Sequence, residues 1–93
     1  MDPIQVIKDR LPELRKQYPI VRVGVFGSIA RGEGNSESDI DLLVDFSEPI
    51  SLFRFSDSKL DLEEILERKV DLVTPGALKP RIKDRILREV VYL

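Results

Sequence analysis

Apolar positions along this chain recur first at spacings of three and four, then at every second residue, and the two periods alternate to its end. Ile4, Ile7, Leu11, Leu14 and Tyr18 form a helical stripe. Asp2-Pro3 ahead of it is a helix-start signal, with a capping carboxylate and a proline in the first turn. Pro12 conflicts with one straight helix, since an interior proline costs ~3 kcal/mol, so a kink or a break and restart is expected there. Pro19 ends the segment. Residues 20–26 (IVRVGVF) alternate in a β-branched background and predict a buried strand. Gly27-Ser28 closes it, and a short helix can open at Ser28. The stretch GNSESD, residues 34–39, carries turn chemistry. A second strand follows over 39–46 and breaks at Glu48-Pro49. Ser51 or Ser58 can cap a helix that carries Leu52, Phe55, Leu62, Ile65 and Leu66 toward the core. Residues 69–74 (KVDLVT) predict a short third strand stopped by Pro75-Gly76. Lys79-Pro80 starts a last helix with Ile82, Ile86, Leu87, Val90 and Val91 apolar. The order αβαβαβα predicts an α/β fold, a small mixed sheet flanked by helices, in one domain over residues 1–93.

Against this regular background the stretch 27–46 is unusual. Ten residues after Gly27-Ser28 comes Asp39-Ile40-Asp41, inside an apolar run. Successive side chains of a strand point to opposite faces, so Asp39 and Asp41 share one face while Ile40 and Leu42 take the other. Two carboxylates ~6.6 Å apart along a strand have no apolar packing role. At a separation of ~4 Å such charges repel by about 4 kcal/mol at an effective dielectric near 20. A divalent cation between them would remove that cost, and a solvent-facing pair on an edge strand is the alternative. A calcium loop does not account for NSESDID, because the central glycine and terminal glutamate are missing. Asp71, alone in the apolar run Val70-Asp71-Leu72, joins the other two if the third strand pairs beside the second. Three carboxylates can hold two metal ions ~3.5–4 Å apart, an arrangement used for phosphoryl and nucleotidyl transfer.

The Gly27-Ser28 turn has two readings. A glycine lets the backbone approach a ligand closely, and a helix opening at Ser28 would turn free N–H groups toward a phosphate; an ordinary strand-to-helix turn capped by serine has the same sequence. Arg31, one turn on, leaves three fates open: contact with a phosphate, pairing with one of the aspartates, or solvation. Glu33 and Glu37 read as loop solubilisers. The last helix carries Lys79, Arg81, Lys83, Arg85 and Arg88 against Asp84 and Glu89. That is a solvated face or a docking surface for an acidic or polynucleotide partner. Tyr92 and Leu93 either meet a partner or pack back on the sheet.

Composition narrows the chemistry. The chain has neither Cys nor His, which excludes disulfides, thiol chemistry, Ser-His and Cys-His nucleophile pairs and the usual zinc sites. Any metal must be held by oxygen, which selects Mg²⁺, Mn²⁺ or Ca²⁺. A net charge of −2 argues against a general nucleic-acid coat. The N-terminus lacks the basic start and apolar core of a signal peptide, and no stretch approaches the ~20 apolar residues of a membrane span, so a cytoplasmic location is expected.

Gly27-Ser28, the ten-residue spacing, Asp39-Ile40-Asp41 and the later Asp71 together resemble the polymerase-β-type nucleotidyltransferase superfamily. The short length, the ARGE after Gly-Ser-Ile and the ending KPRIKDRILREVVYL resemble its minimal nucleotidyltransferase (MNT) branch. The likeness covers essentially the whole chain. It implies Asp39, Asp41 and Asp71 as metal-binding and catalytic carboxylates, with Gly27, Ser28 and Arg31 at the nucleotide phosphates. It implies two Mg²⁺ ions, ATP as substrate, and transfer of AMP to a hydroxyl. Minimal members resemble the antitoxin of a toxin–antitoxin pair whose partner is a HEPN ribonuclease; in that family a tyrosine of the toxin is the acceptor. A homo- or hetero-oligomer is expected. Two other expectations stand beside this one: a non-catalytic binding antitoxin, and the catalytic subunit of an oligomer acting on a small molecule or an RNA end.

Overall fold

A computed structural model describes residues 2–35 and 38–93 of the chain. Among the described residues the strands are β1 (Ile20–Phe26), β2 (Ile40–Phe46), β3 (Val70–Val73) and β4 (Val91–Tyr92). They form one mixed sheet in the order β3-β2-β1-β4. The helices are α1 (Pro3–Gln17), α2 (Gly27–Ala30), α3 (Leu52–Leu66) and α4 (Pro80–Glu89), with a 3-10 turn at Pro75–Ala77. β1 and β2 pair antiparallel, as do β1 and β4, whereas β2 and β3 run parallel through the α3 crossover. No helix among the described residues is long and apolar enough to cross a membrane.

The two faces of the sheet are covered unequally. Ile40, Leu42 and Val44 of β2 join Val23 and Val25 of β1 and Val70 and Leu72 of β3 on one face. Ile7, Leu11 and Leu14 of α1 and Leu62 and Leu66 of α3 pack against them. Each of these residues is nearly or fully buried, and this face is the main core. Intervening residues point the other way, where a smaller cluster of Phe26, Leu43 and Ile86 sits under α4, flanked by Val73, Leu78 and Val90. Gly24 lies beneath that cluster's far end, and a Cβ there would overlap the Val90 side chain. The chemistry sits on this thinly covered face.

Local signals explain most element ends. Asp2 caps α1 by accepting the Ile4 amide at 3.0 Å, and Ser51 caps α3 by accepting the Arg54 amide at 3.1 Å. Ser58 lies inside α3 instead, buried and donating to the Phe55 carbonyl. Of the two outcomes expected at Pro12, a kink or a break and restart, the break does not occur. α1 runs through it because Pro12 and Lys8, whose carbonyl loses its helical partner, both lie on the exposed side. Leu52 was expected in the core but is exposed at the first position of α3, beside the likewise exposed Phe53. The last helix stops at Glu89, and Val91-Tyr92 add a fourth strand absent from the αβαβαβα order. The Leu93 amide then donates to the Val23 carbonyl at 2.9 Å, so the terminus packs back on the sheet. Arg22 lays its guanidinium over the Tyr92 ring, 3.9 Å from the centroid. In the turn-forming stretch 34–39, Ser36 and Glu37 lie outside the described residues.

Tyr18 ties α1 to α3 through a bond from its hydroxyl to Asp61 at 2.5 Å. Burial first, then that bond, pushes its pKa up to about 12. A raised value keeps the hydroxyl protonated, so its contribution is complete below the unfolded value of about 10 and is lost as pH rises through about 12. Tyr18→Phe should therefore cost about 1–3 kcal/mol in guanidinium unfolding at neutral pH, with the loss shrinking only in strong alkali.

Candidate active site

Parallel register decides the centre of the site. Asp41 of β2 faces Asp71 of β3 as a Cα partner, on strands that in sheets stand ~4.8 Å apart. Directly opposed residues of neighbouring strands share a face, so both carboxylates emerge on the α4 side. There they occupy the same row as Leu43 and Val73, one pair nearer the end of the sheet. Asp39, two residues before Asp41, is exposed just ahead of β2. Arg68 braces the loop that delivers it by donating through Nη2 to the carbonyls of Asn35 and Ser38. Glu63 fixes the start of β3, its Oε2 accepting the Val70 amide at 3.0 Å.

The other half of the site comes from the end of β1. Antiparallel pairing sets Phe26 opposite Asp41, so the next residue, Gly27, turns directly over that carboxylate. Gly27 has φ +73°, and a Cβ on it would overlap the Asp41 carboxylate. Both the backbone angle and the contact therefore demand glycine. The four-residue α2 begins at Gly27 itself, one residue earlier than the sequence implied. Gly27, Ser28 and Arg31 then line one cleft of about 420 Å³ together with Asp41, Asp71 and Glu89, under a wall of Ile82, Ile86 and Arg85 from α4. Asp39 stands outside that lining, although its charge acts on Asp41. A larger groove of about 730 Å³ runs past Phe46, Ile50, Leu52 and Phe55, but it is lined chiefly by apolar side chains and gathers none of these groups.

Electrostatics in the cleft are unbalanced. The Asp41 pKa is raised, mainly by burial, then by the charges of Asp71 and Asp39, with Glu89 adding and Arg31 opposing. Among the described residues none of Asp39, Asp41 and Asp71 forms an ion pair. Nor do any three acidic residues stand close enough to hold a metal ion by themselves. Arg31 takes neither an aspartate nor solvent alone. Its Nε donates to Glu33 at 2.9 Å and its Nη1 to Glu89 at 3.3 Å. Glu33 is thus an ion-pair partner as well as a loop residue.

Glu89 is the site residue that the sequence reading passed over. Its Oε1 accepts the Gly27 amide at 2.8 Å across 62 positions of chain. One signal was available. Glu89 ends α4, and a carboxylate at a helix C-terminus opposes the helix dipole by ~0.3–1 kcal/mol. Its position there is explained by what it binds.

The raised Asp41 pKa has a consequence for stability. A folded-state value above the unfolded one gives stability that is complete below the ordinary carboxylate pKa of 3.8 and is lost as pH rises through the folded value. At neutral pH the ionised Asp41 therefore destabilises the protein. Asp41→Asn should raise the melting temperature at neutral pH by roughly a few degrees, with the gap closing as pH is lowered below 3.8. Thermal melts followed by circular dichroism across that range check both the sign and the closure.

Comparison with known proteins agrees with this geometry. The family model described as a nucleotidyltransferase domain matches residues 6–93. The protein adenylyltransferase MntA of Thermococcus cleftensis is 47% identical over 81 residues, covering 87% of this chain and 82% of that protein. A solved structure of a candidate minimal nucleotidyltransferase is 41% identical and superposes with a TM-score of 0.81, covering 100% of this chain and 97% of the other. A tri-AMPylated HEPN toxin of Shewanella oneidensis in complex with an MNT antitoxin gives a TM-score of 0.72 at 19% identity, with 99% and 71% covered, a likeness of fold. With its fold, its carboxylate-bearing strands and its Gly27 turn in one arrangement, the chain belongs to the nucleotidyltransferase domain family, as a minimal nucleotidyltransferase of polymerase-β-like fold.

Proposed function

We propose that this protein transfers AMP from ATP to a tyrosine hydroxyl of a HEPN-type toxin and so acts as its antitoxin. The observation that carries the reading is Asp41 opposite Asp71, neither of them ion-paired among the described residues, beneath a glycine turn at the mouth of one cleft. Support for the nucleotide and the acceptor comes from relatives: MntA of Thermococcus cleftensis is a protein adenylyltransferase, and the toxin in the Shewanella oneidensis complex carries AMP.

The donor set fits Mg²⁺. All of it is carboxylate oxygen, and burial and like charge penalise the ionised Asp41 until a cation offsets them. Mg²⁺ is characteristically held by one or two carboxylates together with substrate phosphates, so a complete protein cage is not required. Asp41 and Asp71 in the cleft, with Asp39 beside it, would hold the ion together with the triphosphate, and bound there it would neutralise charge developing on the α-phosphate and the departing pyrophosphate. Ser28 and Arg31 hold the phosphate tail, and Gly27 lets the backbone come close enough for them to do so. Asp71, exposed on the edge strand, takes the proton of the acceptor hydroxyl. As the acceptor oxygen bonds to the α-phosphorus, the bond to pyrophosphate breaks in line. Positioning and charge neutralisation supply most of the rate.

Incubation with ATP labelled at the α-phosphate, Mg²⁺ and the co-purified partner should label a partner tyrosine. Asp39→Asn, Asp41→Asn or Asp71→Asn should each cut labelling by about 10²-fold or more, and removal of Mg²⁺ with a chelator should abolish it. Neutralisation of the partner by Asp41→Asn without label would establish an antitoxin that works by binding alone. Label on RNA or on a small molecule would replace the protein acceptor.

A further inference from the structure

Glu89 is chemically out of place. The cleft already holds the carboxylates of Asp41 and Asp71, with Asp39 just outside it, and is meant, on the proposed reading, to receive a polyanionic triphosphate. A third carboxylate in the lining must contribute more than its repulsion costs. Its contacts show how. Oε1 accepts the Gly27 amide at 2.8 Å and meets Arg31 Nη1 at 3.3 Å, and Oε2 lies 3.5 Å from the same nitrogen. One side chain thus grips both the backbone of the turn and the guanidinium that face the cleft.

Two arrangements could produce these bonds. In the first, Glu89 occupies donors that a phosphate later takes, and swings aside. In the second, it is a fixed strut. The surrounding backbone favours the strut. The Val90 amide donates to the Ile86 carbonyl at 2.9 Å, and Val91 and Tyr92 immediately pair with Val25 and Gly24 of β1. Glu89 is therefore fixed by α4 on one side and by the sheet on the other. Its side chain is only 25% exposed. Arg31 is held from two directions, by Glu33 and by Glu89, and this double grip fixes a long, half-exposed side chain at the rim of the cleft. Losing such a grip returns rotamer freedom that must be spent again when a phosphate binds.

Resting on the nucleotidyltransferase reading above, we propose that Glu89 is a positioning residue of the transfer site: its carboxylate clamps the Gly27 amide and the Arg31 guanidinium, so that the turn and the arginine are set for the phosphate tail before nucleotide arrives. Glu89 acts through Arg31 and touches no substrate itself. Because α4 supplies it, the last helix is part of the nucleotide site as well as a cover for the sheet.

Calorimetric titration with Mg²⁺·AMP-PNP and with AMP tests this in four proteins: wild type, Glu89→Ala, Arg31→Ala and the double variant. Glu89→Ala should weaken Mg²⁺·AMP-PNP binding by about tenfold and AMP binding by much less, because the effect runs through the group that meets the phosphate tail. In the Arg31→Ala background, removing Glu89 should cost no more than about twofold further. Glu89→Gln, isosteric and still able to accept the Gly27 amide, should fold with a near-native melt and fall between wild type and Glu89→Ala. Additive losses, unchanged affinity, or tighter Mg²⁺·AMP-PNP binding by Glu89→Ala would overturn the proposal; the last would identify the carboxylate as a stand-in for phosphate. Failure of the wild-type protein to bind Mg²⁺·AMP-PNP would overturn the functional reading and this inference with it, whereas wild-type binding with additive losses overturns the inference alone.

Discussion

Parallel pairing between β2 and β3 places Asp41 against Asp71, and that juxtaposition governs the rest of the molecule. Left to themselves, like charges at this spacing would part. They are kept together because the opposite face of the same strands carries Ile40, Leu42, Val70 and Leu72, all buried against α1 and α3. In a strand the two faces cannot be uncoupled: shifting one residue to relieve the carboxylates would turn the whole apolar row out to water. The hydrophobic side of the sheet thereby enforces an electrostatically unfavourable arrangement on the other. The raised Asp41 pKa is the local expression of that constraint.

The same division of labour explains why α4 covers only part of the second face. A full apolar layer would bury the aspartates without partners, at a cost of several kcal/mol per ion. Instead Phe26, Leu43 and Ile86 seal the inner end, while Asp41 and Asp71 open on the cleft at the outer end. Gly27 completes the boundary. Only a residue without a side chain can turn there with φ +73° and still clear the Asp41 carboxylate. The turn in turn is anchored from α4 by Glu89, so sheet, turn and last helix meet at one point.

Much of this was legible in the order of residues, for definite reasons. Helix and strand periods are local, and the caps at Asp2 and Ser51 act within three positions of themselves, so α1, β1, β2 and α3 could be anticipated closely. Strand alternation alone set Asp41 on the face opposite Ile40 and Leu42, whereas Asp39 falls just ahead of the strand and outside the cleft lining. The errors arose where a residue's fate depends on something distant. α1 runs unbroken through Pro12 because that side of the helix faces water, and Leu52, placed in the core by its spacing, stands exposed in the first turn of α3. Val91 fits the apolar stripe of a helix, but an open edge of β1 offers it and Tyr92 hydrogen bonds that a helix end does not.

From the chain by itself came the inventory: acidic oxygen as the only metal-ligand chemistry, a glycine-serine turn ten residues ahead of an aspartate pair, and one further aspartate in a later strand. None of that says which strands are neighbours or which direction they run. Register between β2 and β3, decided by burial of the opposite face, made Asp71 the partner of Asp41. The tertiary fold also chose among the three fates open to Arg31, sending it to Glu33 and Glu89, and it brought Glu89 to Gly27 from 62 residues away. Periodicity reports on neighbours within a turn or a strand; a contact across the sheet exists only once the core has closed.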